Sequence, residues 1–289
     1  IRVLGADSFF FFGGAFLADQ ASRVTAYSAG DTLSWTAGNH RLKFGGEVRQ
    51  SKIEFFFNAF SRGQVLFPSF NAFLAGGSLG TTLSLIGSGV FDRDFKVRDY
   101  SGFVQDDWKI NQRLTVNLGL RYDLFGLPVE AEGRLVNLIT NQLRVGTTAL
   151  PALPPNGYVQ AEGGSLPGVP TVEKTLVPLD KNNFAPRVGF AWSPDYDNGK
   201  NGKTVIRGGF GVFFDRLSES LSLRADRYNG ENLQSFVVTD PTLLAVFPNI
   251  PTIDTLLGYA TTQNKYQMAD SIRSPYNVQT SLSIEHQLP

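Results

Sequence analysis

The sequence predicts an all-β protein: an antiparallel transmembrane β-barrel segment of about seven strands, part of a larger barrel, with long extracellular loops. Three observations lead to this fold class. Apolar and polar residues alternate over stretches that are too long for the strands of a soluble sandwich. Short and long connections between these stretches follow one another in strict alternation. The mean hydropathy is −0.09 despite 24 phenylalanines, as expected of strands that have one apolar and one polar face.

The clearest element is a predicted hairpin over Tyr100–Phe125. Its second strand carries apolar residues at every second position: Leu114, Val116, Leu118, Leu120, Tyr122 and Leu124. Between them stand Thr115, Asn117, Gly119, Arg121 and Asp123. Because successive side chains of a strand point to opposite faces, this strand has one apolar and one polar face. The run exceeds the ~5–6 residues of a soluble strand and fits the ~9–11 needed to cross a membrane, although a long soluble hairpin is the alternative.

Two further strands are predicted before the hairpin. Alternation over Thr25–Trp35 is interrupted by Asp31 on the apolar side, and a second alternating run follows the turn at residues 37–40 and ends near Arg49. Residues 57–97 show no sustained alternation and are predicted to form a long connection. Residues 1–23 contain four consecutive phenylalanines, Phe9–Phe12. We expect this segment to pack over the barrel mouth; insertion into the membrane is the alternative.

Three more strands are predicted after the hairpin. Residues 127–183 form a second long connection, which is expected to lack regular structure. Alternation then returns over Pro186–Trp192 and, after a polar turn at residues 193–203, over Ile206–Phe214. Residues 216–275 are a third long connection, and Tyr276–Gln287 is the last predicted strand.

The lengths of the connections predict the architecture. In chain order they are about four, forty, four, sixty, eight and sixty residues, which is the pattern of short periplasmic turns and long extracellular loops. A sheet with open edges is not viable in lipid, and seven such strands do not close a wide barrel. The strands are therefore expected to belong to a larger barrel.

Composition excludes several classes of protein. The net charge is zero, from 26 basic and 26 acidic residues, so that nothing favours a nucleic-acid partner. Cysteine is absent, which excludes disulfides, zinc–thiolate sites and thiol nucleophiles. No apolar run reaches the ~18 residues of a transmembrane helix. No signal peptide is recognisable, and the chain is expected to be a fragment.

The hairpin also resembles a known family. The stretch YSGFVQDDWKINQRLTVNLGLRYD is similar to a barrel hairpin of TonB-dependent outer-membrane receptors, in particular the Oar-like group. Four other segments resemble the same barrel in the same order: Gly38–Arg49, Asn183–Ser193, Thr204–Asp215 and Ser274–Pro289. The resemblance covers residues 24–289 and is strongest in the strands. It implies a barrel of roughly 22 strands, whose plug domain and N-terminal regulatory-like domain are expected to lie outside this chain.

Catalytic motifs are weak. Residues 76–80 match G-x-S-x-G, the nucleophile elbow of α/β-hydrolases, and an aspartate and His286 follow Ser78 in the required order. The elbow, however, needs a strand before it and a helix after it, and neither is legible here. We therefore predict no enzyme, no catalytic residue, no metal site and no cofactor, with a soluble serine hydrolase as a remote alternative. The two histidines, His40 and His286, form a metal pair only if their strands are neighbours.

The candidate functional residues lie on the predicted polar faces. They are Lys43, Glu47, Arg49, Gln105, Asp107, Arg121, Asp123, Arg187 and Arg207. One interpretation is a lumen that contacts the plug and a solute; the other is a solvated barrel interior with paired charges. Arg187 and Arg207, on adjacent predicted strands, are expected to form a basic stripe.

The resemblance implies a function in the outer membrane of a Gram-negative bacterium. It implies a receptor that takes up a solute with energy from an inner-membrane TonB-type complex, with outer-membrane lipid and the plug domain as further partners. The alternative is a passive porin or an adhesin-like barrel, and a plug domain in the full-length protein would distinguish the two. The composition of the loops is mixed and does not identify the solute.

Overall fold

Seven long antiparallel strands dominate the computed structural model of the chain. The structure describes residues 2–4, 9–13, 20–57, 64–75, 82–89, 92–139, 144–145, 148–150, 157–195, 203–217, 233–244, 252–257, 267–269 and 271–288. The long strands are β1 (Gln20–Ala37), β2 (His40–Phe57), β3 (Asp92–Lys109), β4 (Leu114–Leu124), β5 (Phe184–Trp192), β6 (Thr204–Phe214) and β7 (Tyr276–His286).

The seven strands form one up-and-down sheet. Each pairs antiparallel with the next strand of the chain, so that their spatial order is β1-β2-β3-β4-β5-β6-β7. The predicted fold class is confirmed, as are the seven predicted strands. In β4 the observed ends, Leu114 and Leu124, coincide with the ends of the alternating run.

The short turns contain residues that favour tight turns: a glycine with positive φ in the first, and side chains that accept backbone hydrogen bonds in the other two. Gly38 is the first of the two residues that join β1 to β2 and has a φ of +61°, a conformation that glycine adopts at no steric cost. In the turn between β3 and β4, Oδ1 of Asn111 accepts hydrogen bonds from the backbone N–H groups of Arg113 and Leu114, at 2.8 and 3.0 Å. Asp195 has the same role before β6, where it accepts hydrogen bonds from Lys203 and Thr204.

One face of the sheet is apolar, and we call it the apolar face. Register places the even-numbered residues of β2–β7 and the odd-numbered residues of β1 on it. Its large side chains are exposed, for example Leu118 (41%), Val188 (48%) and Leu282 (72%). A continuous exposed apolar surface of this kind is rare on soluble monomers and indicates contact with lipid or protein. The opposite side is the polar face.

Aromatic residues border the apolar face in two rows. The tryptophan row contains all three tryptophans of the chain, Trp35, Trp108 and Trp192, which lie near the short turns of β1, β3 and β5. The outer aromatic row contains Tyr27, Tyr100 and Phe184 on the same three strands. On each strand the two rows are eight residues apart. Two such rows are the aromatic girdles expected at the two surfaces of a bilayer.

The register of the tryptophan row gives the tilt of the strands. Trp35 lies level with Leu42 and Asp106, so that Trp108 is displaced by two residues over two strands. Trp192 is displaced from Trp108 by the same amount. With ~3.3 Å per residue and ~4.8 Å between strands, one residue of displacement per strand corresponds to a tilt of about 35°. Eight residues at this tilt span about 22 Å, close to the ~25 Å apolar band of outer-membrane barrels.

Strands β2 and β3 are longer than predicted. Their alternation of apolar and polar residues continues, but the apolar residues change to the opposite face. Beyond Val48 and Tyr100 the apolar face becomes charged, whereas Ile53, Phe95 and Val97 on the polar face are buried. The prediction that residues 57–97 form one long connection is therefore wrong at its second end, because β3 begins at Asp92, whereas its first end differs by one residue. The observed first long connection covers residues 58–91. The inversion has a physical cause, since these strand ends pass beyond the apolar band and are covered from the polar side.

The second long connection (residues 125–183) covers these strand ends. Its short strand Val129–Glu130 pairs with Phe95 and Lys96 of β3, and two short hairpins pair Val136–Leu138 with Tyr158–Gln160 and Arg144–Val145 with Thr148–Ala149. It forms one hydrophobic cluster with the strands, made of Ile53, Phe95, Val97, Leu135, Ile139, Leu150, Val159, Ala161, Val172 and Leu176. The expectation that this connection lacks regular structure is therefore wrong for its described residues.

A second, smaller sheet joins the other long connections. It contains the strands Leu233–Val238, Thr82–Gly89, Gln64–Phe67, Arg2–Leu4 and Phe9–Phe11, in that order. The short helices Phe70–Leu74, Pro241–Leu244 and Ile253–Leu257 accompany it. In the phenylalanine run, Phe12 stacks on Phe73 with ring centroids 5.5 Å apart, so that this run contacts another loop segment.

The second and third long connections are fastened together. Asn137 donates a hydrogen bond to the carbonyl oxygen of Met268 (3.2 Å) and accepts one from its N–H (2.9 Å). The third long connection covers residues 215–275. A carboxylate oxygen of Asp180 also accepts a hydrogen bond from the N–H of Ser274 (2.9 Å). The long connections thus meet at one end of the sheet. None of the helices in the described part of the chain is long and apolar enough to cross a bilayer.

Candidate functional site on the polar face

The polar face carries all nine predicted site residues. Register places Lys43, Glu47, Arg49, Gln105, Asp107, Arg121, Asp123, Arg187 and Arg207 on the same side of the sheet, opposite the apolar face. Every second residue of β2–β6 shares this side, because the pleat of a strand repeats every two residues. The structure divides the nine residues into paired and unpaired groups.

Two polar clusters lie on β3 and β4. Nε of Arg121 donates hydrogen bonds to both carboxylate oxygens of Asp123, at 2.9 and 3.0 Å, and Asp123 is only 5% exposed. A second carboxylate, that of Asp107, accepts hydrogen bonds from Gln105 (3.1 Å) and from Asn117 across the strand pair (2.7 Å). These four predicted residues therefore satisfy one another or a neighbouring amide, as in a solvated interior with paired groups.

Arg187 and Arg207 do not form the expected stripe. Arg187 lies opposite Gly211 of β6, and Arg207 is four residues further along that strand, a separation of roughly 13 Å. Nη1 of Arg207 is 2.6 Å from Oε1 of Glu285 on β7, which compensates its charge. Of these two arginines, only Arg187 has no carboxylate partner among the described residues. The stripe is therefore interrupted.

Arg187 borders two hollows of the sheet. Its guanidinium carbon is 4.4 Å from the centre of the Phe213 ring. This cation–π contact holds the guanidinium group over the ring. A Cβ at position 211 would lie 2.8 Å from a carbon of that ring, so that a larger residue there would displace the ring. Hollows of about 180 and 570 Å³ flank Arg187, and they are lined by Gln105 and Arg121 on one side and by residues of β6 and β7 on the other. An anionic or hydrogen-bonding group fits such a position chemically.

Lys43, Glu47 and Arg49 lie on the same side of β2, at spacings of four and two residues. Within the described residues none of the three side chains forms a hydrogen bond or an ion pair. Their neighbours in register on β3 are Gln105, Ser101 and Asp99. β2 thus presents two cations and one anion outside any close ion pair, although Lys43 is near enough to the carboxylate of Asp107 to interact with it electrostatically.

The sequence did not single out the shortest ion pair on this face. Nη2 of Arg216, just after β6, is 2.5 Å from Oδ2 of Asp99 on β3, and Oδ1 of Asp99 accepts a hydrogen bond from the N–H of Gly126 (3.0 Å). Asp99 is on the polar face of β3, and the alternation of residues in the sequence predicts that face. Arg216 lies in a connection without any pattern, and no sequence signal pairs the two residues.

The remaining candidates from the sequence are the Ser78 motif and the two histidines. Ser78 lies outside the described residues, so that the hydrolase alternative rests on the motif alone. His40 and His286 do not form a pair, because β2 and β7 are separated by four strands. Nδ1 of His40 lies 2.7 Å from Oδ2 of Asp106, and its ring stacks on Trp108, whereas Nδ1 of His286 lies 2.9 Å from the hydroxyl of Thr204. Among the described residues no three metal-ligating side chains come together.

Comparison with known proteins identifies the family. No curated protein and no solved structure matches the chain. A family model described as "Outer membrane beta barrel domain" matches residues 1–289. The match agrees with the up-and-down sheet, the exposed apolar face and the two aromatic rows, and it places the protein in the outer membrane of Gram-negative bacteria. The chain therefore belongs to the outer membrane beta barrel domain family.

Proposed function

We propose that the chain is part of an outer-membrane receptor that takes up a solute by an energy-coupled route. The observation that carries the proposal is the second long connection, which packs on the polar face through a ten-residue hydrophobic cluster. A folded segment that covers the mouth of a barrel suits selective passage better than a permanently open pore. The resemblance of five separate segments to TonB-dependent receptors of the Oar-like group supports the same function.

The polar face is assigned to the lumen, where it contacts a plug domain of the full-length protein. The unpaired charges of Lys43, Glu47, Arg49 and Arg187 support this role, since charges that lack a partner in the sheet suit contacts with a second domain. The paired groups, such as Arg121 with Asp123 and Arg207 with Glu285, instead maintain a hydrated interior. In this proposal an inner-membrane TonB-type complex acts on the plug, and a solute binds the plug and the extracellular loops.

A passive porin or an adhesin-like barrel is the second candidate. One observation favours adhesion: the side chains Phe10, Phe12, Phe70 and Leu74 of the small loop sheet and its helix are 46–68% exposed. Exposed apolar patches of this kind mark sites of protein interaction. An adhesin needs no plug and no energy source, so the two candidates differ in a measurable property.

Electrical conductance distinguishes these functions without knowledge of the solute. The full-length protein is inserted into a planar lipid bilayer in potassium chloride solution, and the current is recorded at constant voltage. A plugged receptor should give no steady conductance, and deletion of its plug domain should open a steady channel. A steady conductance of the intact protein would support the passive porin. A full-length reading frame without a plug domain, and no conductance, would support the adhesin.

A further inference from the structure

The apolar face ends at a rim of polar and charged side chains on β1, β2 and β3. This charged rim contains Arg23, Gln50, Lys52, Glu54, Asp94, Lys96 and Arg98. All seven side chains point to the same side as Tyr27, Val48 and Tyr100. The rim is therefore on the lipid side of the barrel, directly beyond the outer aromatic row.

Contacts within the rim leave two cations available. Nζ of Lys52 is 2.7 Å from Glu54 and 3.7 Å from Asp94, so that its charge is compensated. Nε of Arg98 donates a 2.9 Å hydrogen bond to the neutral amide oxygen of Gln50, which orients the guanidinium without compensating it. Lys96 is exposed and forms no ion pair with any described residue.

The height of these two cations matches the headgroup layer. Arg98 and Lys96 lie two and four residues beyond Tyr100 along β3. At ~3.3 Å per residue and a tilt of about 35°, they lie roughly 5 and 11 Å above the outer aromatic row. The polar layer of one leaflet is about 5–8 Å thick, so that Arg98 lies within it. The backbone of Lys96 lies about 3 Å above this layer, and its long, flexible side chain can bring the ammonium group back into it. The next carboxylate outward, that of Asp94, lies above this layer, at roughly 16 Å.

Below the rim the surface is suited to acyl chains. Val48 (48% exposed) is two residues below Gln50 on β2, and Val104 (47% exposed) follows Tyr100 and Gly102 on β3, so that the apolar face continues below the rim. A molecule that covers both regions must carry an anionic group at one end and hydrocarbon at the other. Guanidinium and ammonium groups that are held at this level bind phosphate oxygens through charge-assisted hydrogen bonds.

We propose that Arg98 and Lys96 form a binding site for the phosphate group of an outer-leaflet lipid, whose acyl chains lie on Val48 and Val104. The short turns face the periplasm and the long connections face outward, so that this end of the sheet meets the outer leaflet. The site rests on the outer-membrane location and is independent of energy coupling. It fastens β2 and β3 to the lipid at the level where these strands leave the membrane.

The test is a titration of the full-length protein in detergent with lipid A, a phosphorylated glycolipid of this leaflet. Native mass spectrometry counts the bound lipid molecules. The double variant Lys96→Ala, Arg98→Ala should raise the apparent Kd by about thirtyfold, or roughly fivefold for each cation. The matched control is Lys109→Ala, Arg113→Ala, which removes two cations at the other end of the β3–β4 hairpin. The control should leave the Kd unchanged.

Three results would overturn the site. They are an unchanged Kd in the double variant, an equal loss in the control, and equal binding of lipid A from which the phosphates have been removed. Displacement of lipid A by inorganic phosphate at similar concentration would show a free-anion site instead. Folding is verified by the shift in gel mobility on heating. If the double variant does not fold, the comparison of phosphorylated with dephosphorylated lipid A on the natural protein decides.

Discussion

Arg216 and Asp99 join the third long connection to the polar face, with Nη2 of Arg216 2.5 Å from Oδ2 of Asp99. Asp99 lies on β3, Arg216 follows the end of β6 by two residues, and β4 and β5 lie between β3 and β6 in the sheet. β3 and β6 are therefore three strand spacings apart, or about 14 Å along the sheet. Because Arg216 nevertheless reaches Asp99, the contact fixes the position of the third long connection over the polar face.

Loss of this contact should loosen the third long connection. Arg216→Ala should lower the free energy of unfolding by about 1.5–3 kcal/mol, the value of a hydrogen bond to a charged group. Asp99→Ala should cost more, because the N–H of Gly126 also loses its acceptor. Urea unfolding of the full-length protein in detergent measures both, with Arg113→Ala as a control in an exposed turn. Equal effects of all three changes would contradict the assigned contact.

Asn137 should hold the second and third long connections together. Asn137→Ala leaves the buried N–H and carbonyl groups of Met268 without their partner, at a cost of about 1–3 kcal/mol for each group. We therefore expect faster cleavage by trypsin within residues 215–275 in protein reconstituted into vesicles. Asn111→Ala, in a short turn, serves as the control. Unchanged cleavage rates would show that the two connections are held by other contacts.

The assignment of the two faces predicts opposite results for neighbouring residues of β4. Leu118→Arg places a charge on the apolar face and should cost about 2–4 kcal/mol if residue 118 lies near the middle of the bilayer. Asn117→Arg should cost much less, because its charge lies beside the carboxylate of Asp107. Both values come from folding into lipid vesicles at increasing urea. Equal costs would require the register of β4 to be reassigned.

The orientation of the sheet in the membrane is testable with single cysteines, since the chain has none. Gln112→Cys lies in a short turn and Ser165→Cys in the second long connection, and both positions are exposed. A membrane-impermeant thiol reagent on intact cells should label position 165 and spare position 112. Permeabilisation of the outer membrane should expose both. Labelling of position 112 alone on intact cells would invert the orientation.

The turn before β6 should weaken in acid. Loss of hydration raises the pKa of Asp195, but hydrogen bonds from Thr204 and Lys203 outweigh it and hold the pKa below its usual 3.8. A carboxyl group whose pKa is lower in the folded state stabilises the fold above its unfolded pKa. This contribution should be lost as the pH falls below about 4. Asp195→Asn should remove that part of the pH dependence in urea unfolding, and an unchanged profile would assign it to other groups.

For the candidate site, the sequence predicted the face of each residue but not its partners. Alternation predicted that Arg121, Asp123, Arg187 and Arg207 share a face, since the strand repeat fixes direction. It did not predict their partners, because a pattern of period two carries no information about the register between strands. Register brings Glu285 to a position diagonal to Arg207, where the two side chains form an ion pair, and leaves Arg187 between Gly119 and Gly211. The tertiary structure therefore separated paired charges from unpaired ones.

The sequence by itself determined the seven strands, their faces and the alternation of short and long connections, because each depends on local patterns of apolar, polar and turn residues. The spacing of eight between the aromatic rows was also present in the sequence, but only register shows that the rows align across β1, β3 and β5. Only the tertiary structure decided where β2 and β3 end and what covers them. Residues such as Phe95 and Leu135 are buried by partners distant in sequence, and contacts of that kind leave no periodic signal in either partner.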